Sequence, residues 1–498
     1  IGSTISHIGD SDNAIIFGTD TQEYYTGGTL RLKLDNNSRI SLGNNDSSGA
    51  TSNTIFGYLA GAALSSGAID NVLIGNNAGN DLTTGDYNVA IGSEAMSKDD
   101  TGRGSIAIGA SALGKQNPAS ETMISNIGIG LNSGHYNVTG KDNIYIGSNA
   151  GLGVDGESQD NNIGIGSNSL KAVTSGDGNV AIGRDSGEAL TSGGYSVILG
   201  YRAGETTTGT SYHVIIGTEA GATGDITNHG AVAIGYRAGK ALTSGANNTF
   251  VGYESGDAVT TGHSNTFLGK TSGGATETAS GSVFLGYAAG GAVTTGNANI
   301  AIGDGAMNNA TTGNWNIAIG LAAGDALTSG VNNILLGKDA GGALNSGHEN
   351  VVMGANALLT ATTAGYTVAI GNSAIGGADV TGDSNTGVGA STMFYNTSGN
   401  QNVGVGHYTG FYNQTGTNNV YIGHESGKGS SGYSNSSNVA VGYRSLYLNR
   451  TGTENVAIGK DSMRDATTSD GTVAVGVESL YNVTSGNNNV GLGKQALY

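Results

Sequence analysis

Along most of the chain, apolar side chains come in pairs separated by one residue, and each triplet closes on glycine. Asn88–Gly92, Asn179–Gly183, Asn316–Gly320 and Asn455–Gly459 are clear copies, of the form Asn-Val/Ile-Ala-Ile-Gly. Aligned on the closing glycine, the word recurs 26 times from Gly57 to Gly493; most steps are 17 residues and none is shorter. Three places and one place before the glycine, the side chain is almost always β-branched or aliphatic, as in Val180 and Ile182. Between them the residue varies from Gly164 and Ala181 to Tyr145 and Phe250. Such period-two alternation predicts a short strand with one consistently apolar face. That face, to which Ile319 belongs, is expected to point into the core.

Four places before the glycine stands Asn in 19 of the 26 copies. After the glycine comes a second half, such as Arg184–Gly193. It has Ala or Ser at its third place, Ala at the sixth and Leu or Val at the seventh, and it ends in Thr-Ser-Gly or Thr-Thr-Gly. The ending is a turn signal. Ala238 and Leu242, four apart, suit one helical turn, and a second short strand is equally compatible. A unit this short cannot bury its own apolar face, so copies must stack. The expected fold is all-β: a β-solenoid or β-roll of about 26 coils, each strand pairing with its equivalents above and below at about 4.8 Å. The full stack would be on the order of 125 Å long. The recurring Asn would form a ladder of side-chain amides. Each coil offers only a few small apolar residues, a thin core. Three parallel chains side by side would bury a second apolar face, so the expected partner is the chain itself, as a homotrimer.

The rhythm fails in places. Residues 1–50 lack it and read as a β-rich cap or connector with short strands at Ala14–Gly18, Leu30–Leu34 and Ser38–Gly43; residues 51–498 are the repeat fibre. The step from Gly109 to Gly130 carries four extra residues and the single proline, Pro118. Gly147–Gly166 and Gly423–Gly442 carry two extra each. Insertions of this kind are expected to leave the coil as surface loops. Aromatic residues gather in the last units, and the chain stops at Tyr498 within a unit, which leads one to expect further sequence beyond it.

Composition narrows the functional classes. Glycine supplies 90 of 498 residues with one proline, which fits neither collagen nor a flexible linker. The formal net charge of −18 gives no electrostatic reason to bind nucleic acid. There is no cysteine, hence no disulfide or thiolate metal site, and the chain suits oxidising surroundings. No apolar run reaches the 18 residues of a membrane span, so membrane insertion is not expected.

Candidate chemistry is sparse, and neither a cofactor nor a metal is expected. The eight histidines, His7, His135, His213, His229, His263, His348, His407 and His424, show no ligand spacing along the chain. Gly128-Ile129-Gly130 lies inside a strand and is no phosphate loop. Asp10-Ser11-Asp12-Asn13 is a fragment of a calcium-loop pattern, more simply an acidic turn. Tyr201, Tyr236, Tyr253, Tyr287 and Tyr443 follow the strand glycine and fit either subunit packing or stacking on sugars. Acidic residues such as Asp81, Glu188 and Asp325 fall in variable columns, without the paired carboxylates of a glycan-cleaving cleft, so the chain is read as a non-enzyme. Specific recognition needs a distinct surface. Two are available: the loop Lys115–Met123, and the aromatic C-terminal units with Tyr395, Tyr412, Tyr447 and Tyr481.

The Asn-Val-Ala-Ile-Gly word resembles the head repeats of YadA-type trimeric autotransporter adhesins. The longer unit is similar to arrays in tail-fibre-like proteins of phages, marine phages above all. Thr472–Gly486 follows that array closely and Asn402–Gly416 loosely, and Ile5–Asp10 with Thr26–Leu32 resembles the lead-in of such fibres. The resemblance implies an extracellular structural fibre, a phage tail fibre or virion appendage for host attachment through a surface glycan or protein. A bacterial trimeric surface adhesin or extracellular filament subunit is the alternative.

Overall fold

The computed structural model describes residues 4–7, 10–18, 21–35, 40–42, 52–65, 67–209 and 211–498. Regular structure among them is strand throughout, with no helix. The chain divides into two compact units, Ile1–Ile234 and Gly235–Tyr498.

The first unit begins with five antiparallel strands in chain order: β1 Thr4–His7, β2 Asp10–Phe17, β3 Thr21–Thr26, β4 Thr29–Asp35 and β5 Ile40–Leu42. β2, β4 and β5 fall at the expected strand positions; β1 and β3 are additional, and Ser38 and Gly43 lie outside the described residues. Between β3 and β4 the turn is Gly27-Gly28, with φ of 58° and 74°. Positive φ at both central residues is what a two-residue hairpin requires. The Asp10–Asn13 stretch opens β2, and the side chains of Asp10, Ser11 and Asp12 lie outside those described.

Three-residue strands then repeat, one per coil: eleven in the first unit, from Thr54–Phe56 to Val232–Ile234, and fifteen in the second, from Thr249–Val251 to Val490–Leu492. Within each unit consecutive strands pair in parallel and in register, so that Ile317, Ala318 and Ile319 face Ile334, Leu335 and Leu336. This is a parallel β-solenoid with the expected coil length. The second half of the coil is neither helix nor strand. It is a series of turns with left-handed residues, such as Ala322 at φ 51° and Gly324 at φ 58°. Its amides bond to the coils on either side: Asp339 N–H donates to Leu321 O at 2.9 Å and Gly341 N–H to Ala357 O at 2.9 Å.

The closing glycine of the strand is doubly required. Gly320 has φ 140°, and a Cβ there would lie 2.4 Å from the carbonyl oxygen of Gly337, its equivalent one coil on. Only a residue without a side chain lets successive coils approach this closely at that backbone angle.

The inward face is the opposite of the one expected. In Ile317–Ile319 it is the middle residue, Ala318, that is fully buried, while Ile319 is 39% exposed. The same holds along the solenoid: the variable middle residue points in and its two uniformly apolar neighbours point out. Side chains alternate along a strand, so the middle residue must share a face with the Asn two places before it. That Asn is buried, and this sets the phase.

The buried Asn residues form the expected ladder. Asn333 Nδ2 donates to Gly347 O at 2.9 Å and to Asn316 Oδ1 at 3.0 Å. Its own Oδ1 accepts from the Asn350 backbone N–H at 3.1 Å. Both ends of each amide are thus satisfied inside the coil.

The rest of the interior follows a size rule. Where the middle strand residue is large, the fourth residue after the closing glycine of that coil is itself glycine: Phe250 with Gly256, Phe267 with Gly273, Phe284 with Gly290. Where that place holds Met, Leu or Ile, the middle residue is small, as Ala90 with Met96 and Gly387 with Met393. Close packing in a narrow tube demands this exchange. The three phenylalanines stack on one another, with ring centroids 5.2 and 4.6 Å apart.

The two-residue insertions do more than make loops. Each follows a strand whose middle residue is a fully buried tyrosine, Tyr145 or Tyr421. The longer coil brings Gln159 and Asn435 inside, where Gln159 Nε2 lies 3.4 Å from the Tyr145 hydroxyl and Asn435 Oδ1 accepts from Tyr421. Burial raises both phenols well above their ordinary pKa. In the longest coil, Gln116 and Pro118 remain inside, while Asn117 and the stretch from Ala119 to Met123 are exposed.

Candidate functional surfaces

Three surfaces stand out. The first is the outward strand face. In the second unit its two columns run from Thr249 and Val251 to Val490 and Leu492, all Val, Ile, Leu or Met apart from Thr249, Thr266 and Thr386, with no charge anywhere. None of these side chains is buried: Ile334, Met353, Ile422 and Ile458 are among the clearly exposed. Apolar columns this regular on the outside of an acidic protein have the composition of an interaction surface.

The second surface is aromatic. Phe394, Phe411, Lys428, Tyr447, Arg464, Tyr481 and Tyr498 occupy one column on successive coils, and Tyr395 and Tyr412 occupy the next. The structure therefore brings Tyr395, Tyr412, Tyr447 and Tyr481 to one edge of the solenoid. Their rings lean on one another and on cations. Tyr395 and Tyr412 are stacked at 5.4 Å and 5°. Lys428 Nζ lies 5.2 Å from the Tyr447 ring, the Arg464 guanidinium 5.0 Å from Tyr481, and Tyr481 stacks on Tyr498 at 5.2 Å. The stacked faces are turned to neighbouring rings, so stacking on a sugar meets competition at Tyr395 and Tyr412; hydroxyls and ring edges are what the edge offers. Glu425 ties it together, accepting from Lys428 Nζ at 2.7 Å and Arg444 Nε at 2.7 Å. Burial alone would raise the Glu425 carboxyl, but the bonds from Lys428 and Arg444 hold it below its ordinary value.

The third surface is the column just after the strand glycine. Here Tyr236 and Tyr253 stack at 5.0 Å, and Lys270 lies 5.6 Å from Tyr253 and 5.7 Å from Tyr287. Further along, His407 and His424 come together with ring centroids 5.3 Å apart. In a 17-residue coil, residues 17 apart are direct neighbours.

Of the other histidines, His213 takes a place in the Asn column and is 1% exposed. Its Nδ1 accepts from the Ala231 N–H at 3.3 Å, the role Asn Oδ1 plays elsewhere. Burial, reinforced by nearby His229, pushes its pKa down to about 4. Asp99 sits in a column where many coils have Leu or Val. Burial pushes its carboxyl up to about 6, against hydrogen bonds from Gln116 Nε2 at 2.5 Å and Gly102 N–H at 2.7 Å. The acidic residues Asp81 and Glu188 pair with Lys98 at 3.0 Å and Lys171 at 2.9 Å.

Beside the exposed part of the long loop, Thr122, Met123, Thr139, Lys141, Ser158, Asp160 and Asp177 line a cleft of about 350 Å³. Its carboxylates are engaged with backbone: Asp160 Oδ1 accepts from Lys141 N–H at 2.8 Å, and Asp177 Oδ1 from Asp160 N–H at 2.7 Å. Among the described residues no group of three or more His, Asp or Glu is placed to hold a metal ion, and no helix is long and apolar enough to cross a membrane. Comparison with family models, with curated proteins and with solved structures finds no match.

Proposed function

We propose that the chain is a structural extracellular fibre, the tail fibre or a related appendage of a phage virion, which serves attachment to a host and works without catalysis. The observation that carries this reading is the outward apolar strand face. Fifteen coils at about 4.8 Å and strands about 10 Å wide make a flat footprint of about 700 Å² in the second unit alone. That approaches the roughly 800 Å² per partner of a standard stable interface. Its natural occupant is the same face of another copy, because identical repeats match coil for coil only with themselves. Three parallel copies bury it around a common axis. The aromatic edge carrying Tyr395, Tyr412, Tyr447 and Tyr481 stays outside and is the surface proposed to meet a host glycan or protein.

Sedimentation of the intact chain is expected to give three times its 49.4 kDa mass. A stable single-copy mass with the coils folded overturns the assembly. Antibody raised against the chain should decorate a projecting tail appendage, and decoration of a bacterial outer surface instead supports the adhesin alternative.

A further inference from the structure

We propose that His407 and His424 form a binding site for a divalent transition-metal ion that bridges two consecutive coils. The site stands apart from the fibre reading and does not depend on it. Both side chains are exposed, His424 at 45%. They project from the same column one coil apart, each directly after a strand glycine, and are therefore held by the parallel sheet on one side and the turn on the other.

The ring centroids are 5.3 Å apart and the rings inclined at 48°. A metal bound to an imidazole nitrogen at about 2.0–2.1 Å lies about 3.2 Å from the ring centroid. Two centroids 5.3 Å apart then subtend an angle of about 110° at the metal, the value for two arms of a tetrahedron. With His424 held as it stands, rotation of the His407 ring about χ2 can reach this arrangement without backbone movement.

The surroundings set the orientation of one ring. Glu425 Oε2 lies 3.7 Å from His424 Nδ1. A carboxylate on that side favours a proton on Nδ1 and leaves Nε2 as the metal-facing donor, the usual arrangement of a ligating histidine. Glu425 is itself fixed by Lys428 and Arg444, and Tyr443 stacks on the His424 ring at 5.5 Å and 16°. The ring is thus braced on two sides before any ion arrives. Neutral imidazoles without thiolates or further carboxylates select copper, nickel or zinc over magnesium and calcium. Water completes the coordination.

The test uses the full chain titrated with ZnCl2 and, separately, CuCl2, by calorimetry, and by electron paramagnetic resonance for copper. One ion per chain is expected at this site. His407→Ala and His424→Ala should each weaken it at least tenfold. Both positions are exposed, so the variants keep the fold. A second readout follows from the bridge: zinc should slow amide exchange in the coils from Val403 to Ser426 in the wild type, and leave it unchanged in His407→Ala. Equal binding by wild type and both variants overturns the site, as does zinc binding that leaves exchange in those coils untouched.

Discussion

Replacing Asn333 by Ala removes a single amide from the middle of the ladder. Its structural consequences can be followed bond by bond. The side chain is fully buried and makes four contacts: donations to Gly347 O and Asn316 Oδ1, and acceptance from the Asn350 N–H and the Asn350 Nδ2–H. Two partners keep an alternative. Asn316 Oδ1 still accepts the Asn333 backbone N–H at 3.0 Å, and Asn350 Nδ2 still reaches Ala364 O at 2.8 Å. The Gly347 carbonyl and the Asn350 N–H lose the bonds that Asn333 supplied. Each buried group so deprived costs about 1–3 kcal/mol, so the coil should lose about 2–6 kcal/mol. In a solenoid this loss stays with the nearest neighbours. Amide exchange over Gly330–Val351 should therefore speed up by a factor of about 30 or more, while distant coils keep their protection. Exposed Ser329→Ala serves as the control. Protection within about threefold of the wild type across these coils would show that the amide ladder is a passenger and that the backbone alone holds the stack.

Three further outcomes follow from the same structure. Ala318→Asp should cost several kcal/mol and open its coil in thermal or exchange measurements, because it buries an unpaired charge, whereas Ile319→Asp should leave the coil folded and lower the sedimenting mass; equal damage to folding by both would restore the inward assignment of Ile319. Lowering the pH from 7 to 4 should loosen the coils around His213, whose folded pKa of about 4 lies below the unfolded value, so that protons favour the unfolded state by up to about 3 kcal/mol. The same change should firm the coil of Asp99, whose folded pKa of about 6 lies above the unfolded value; site-resolved protection factors moving in one direction at both places would refute the assignment. Gly320→Ala forces a Cβ to within 2.4 Å of Gly337 O at a φ of 140°, and should lower the melting temperature of the second unit far more than Ser329→Ala, as followed by circular dichroism.

The coil length, the strand, its closing glycine and the Asn ladder were all legible in the sequence, because each depends on contact with its own equivalent one repeat away. Periodicity alone places those residues together. The same logic, carried further, brings out His407 with His424 and Phe394 with Phe411, since in a coil of this length the stride of 17 is the contact distance. Reading histidine spacing along the chain, as for a helix or a zinc loop, hides such pairs.

Tertiary structure decided which strand face is inside. Hydrophobicity pointed to the uniformly apolar columns of Ile317 and Ile319, but the interior of the tube is too narrow for two such columns beside the Asn ladder. It is filled instead by one column in which a large residue never meets a large partner: Phe250 goes with Gly256, and Met96 with Ala90. Variability in that column looked like exposure and was in fact the mark of packing. Likewise, the extra residues after Tyr145 and Tyr421 leave the coil at the exposed Val154–Glu157 and Ser431–Tyr433, as expected, and the structure also uses the longer coil to bring hydrogen-bonding partners to the buried phenols. Local pattern determines what repeats; how much room the closed coil leaves determines which way each side chain points.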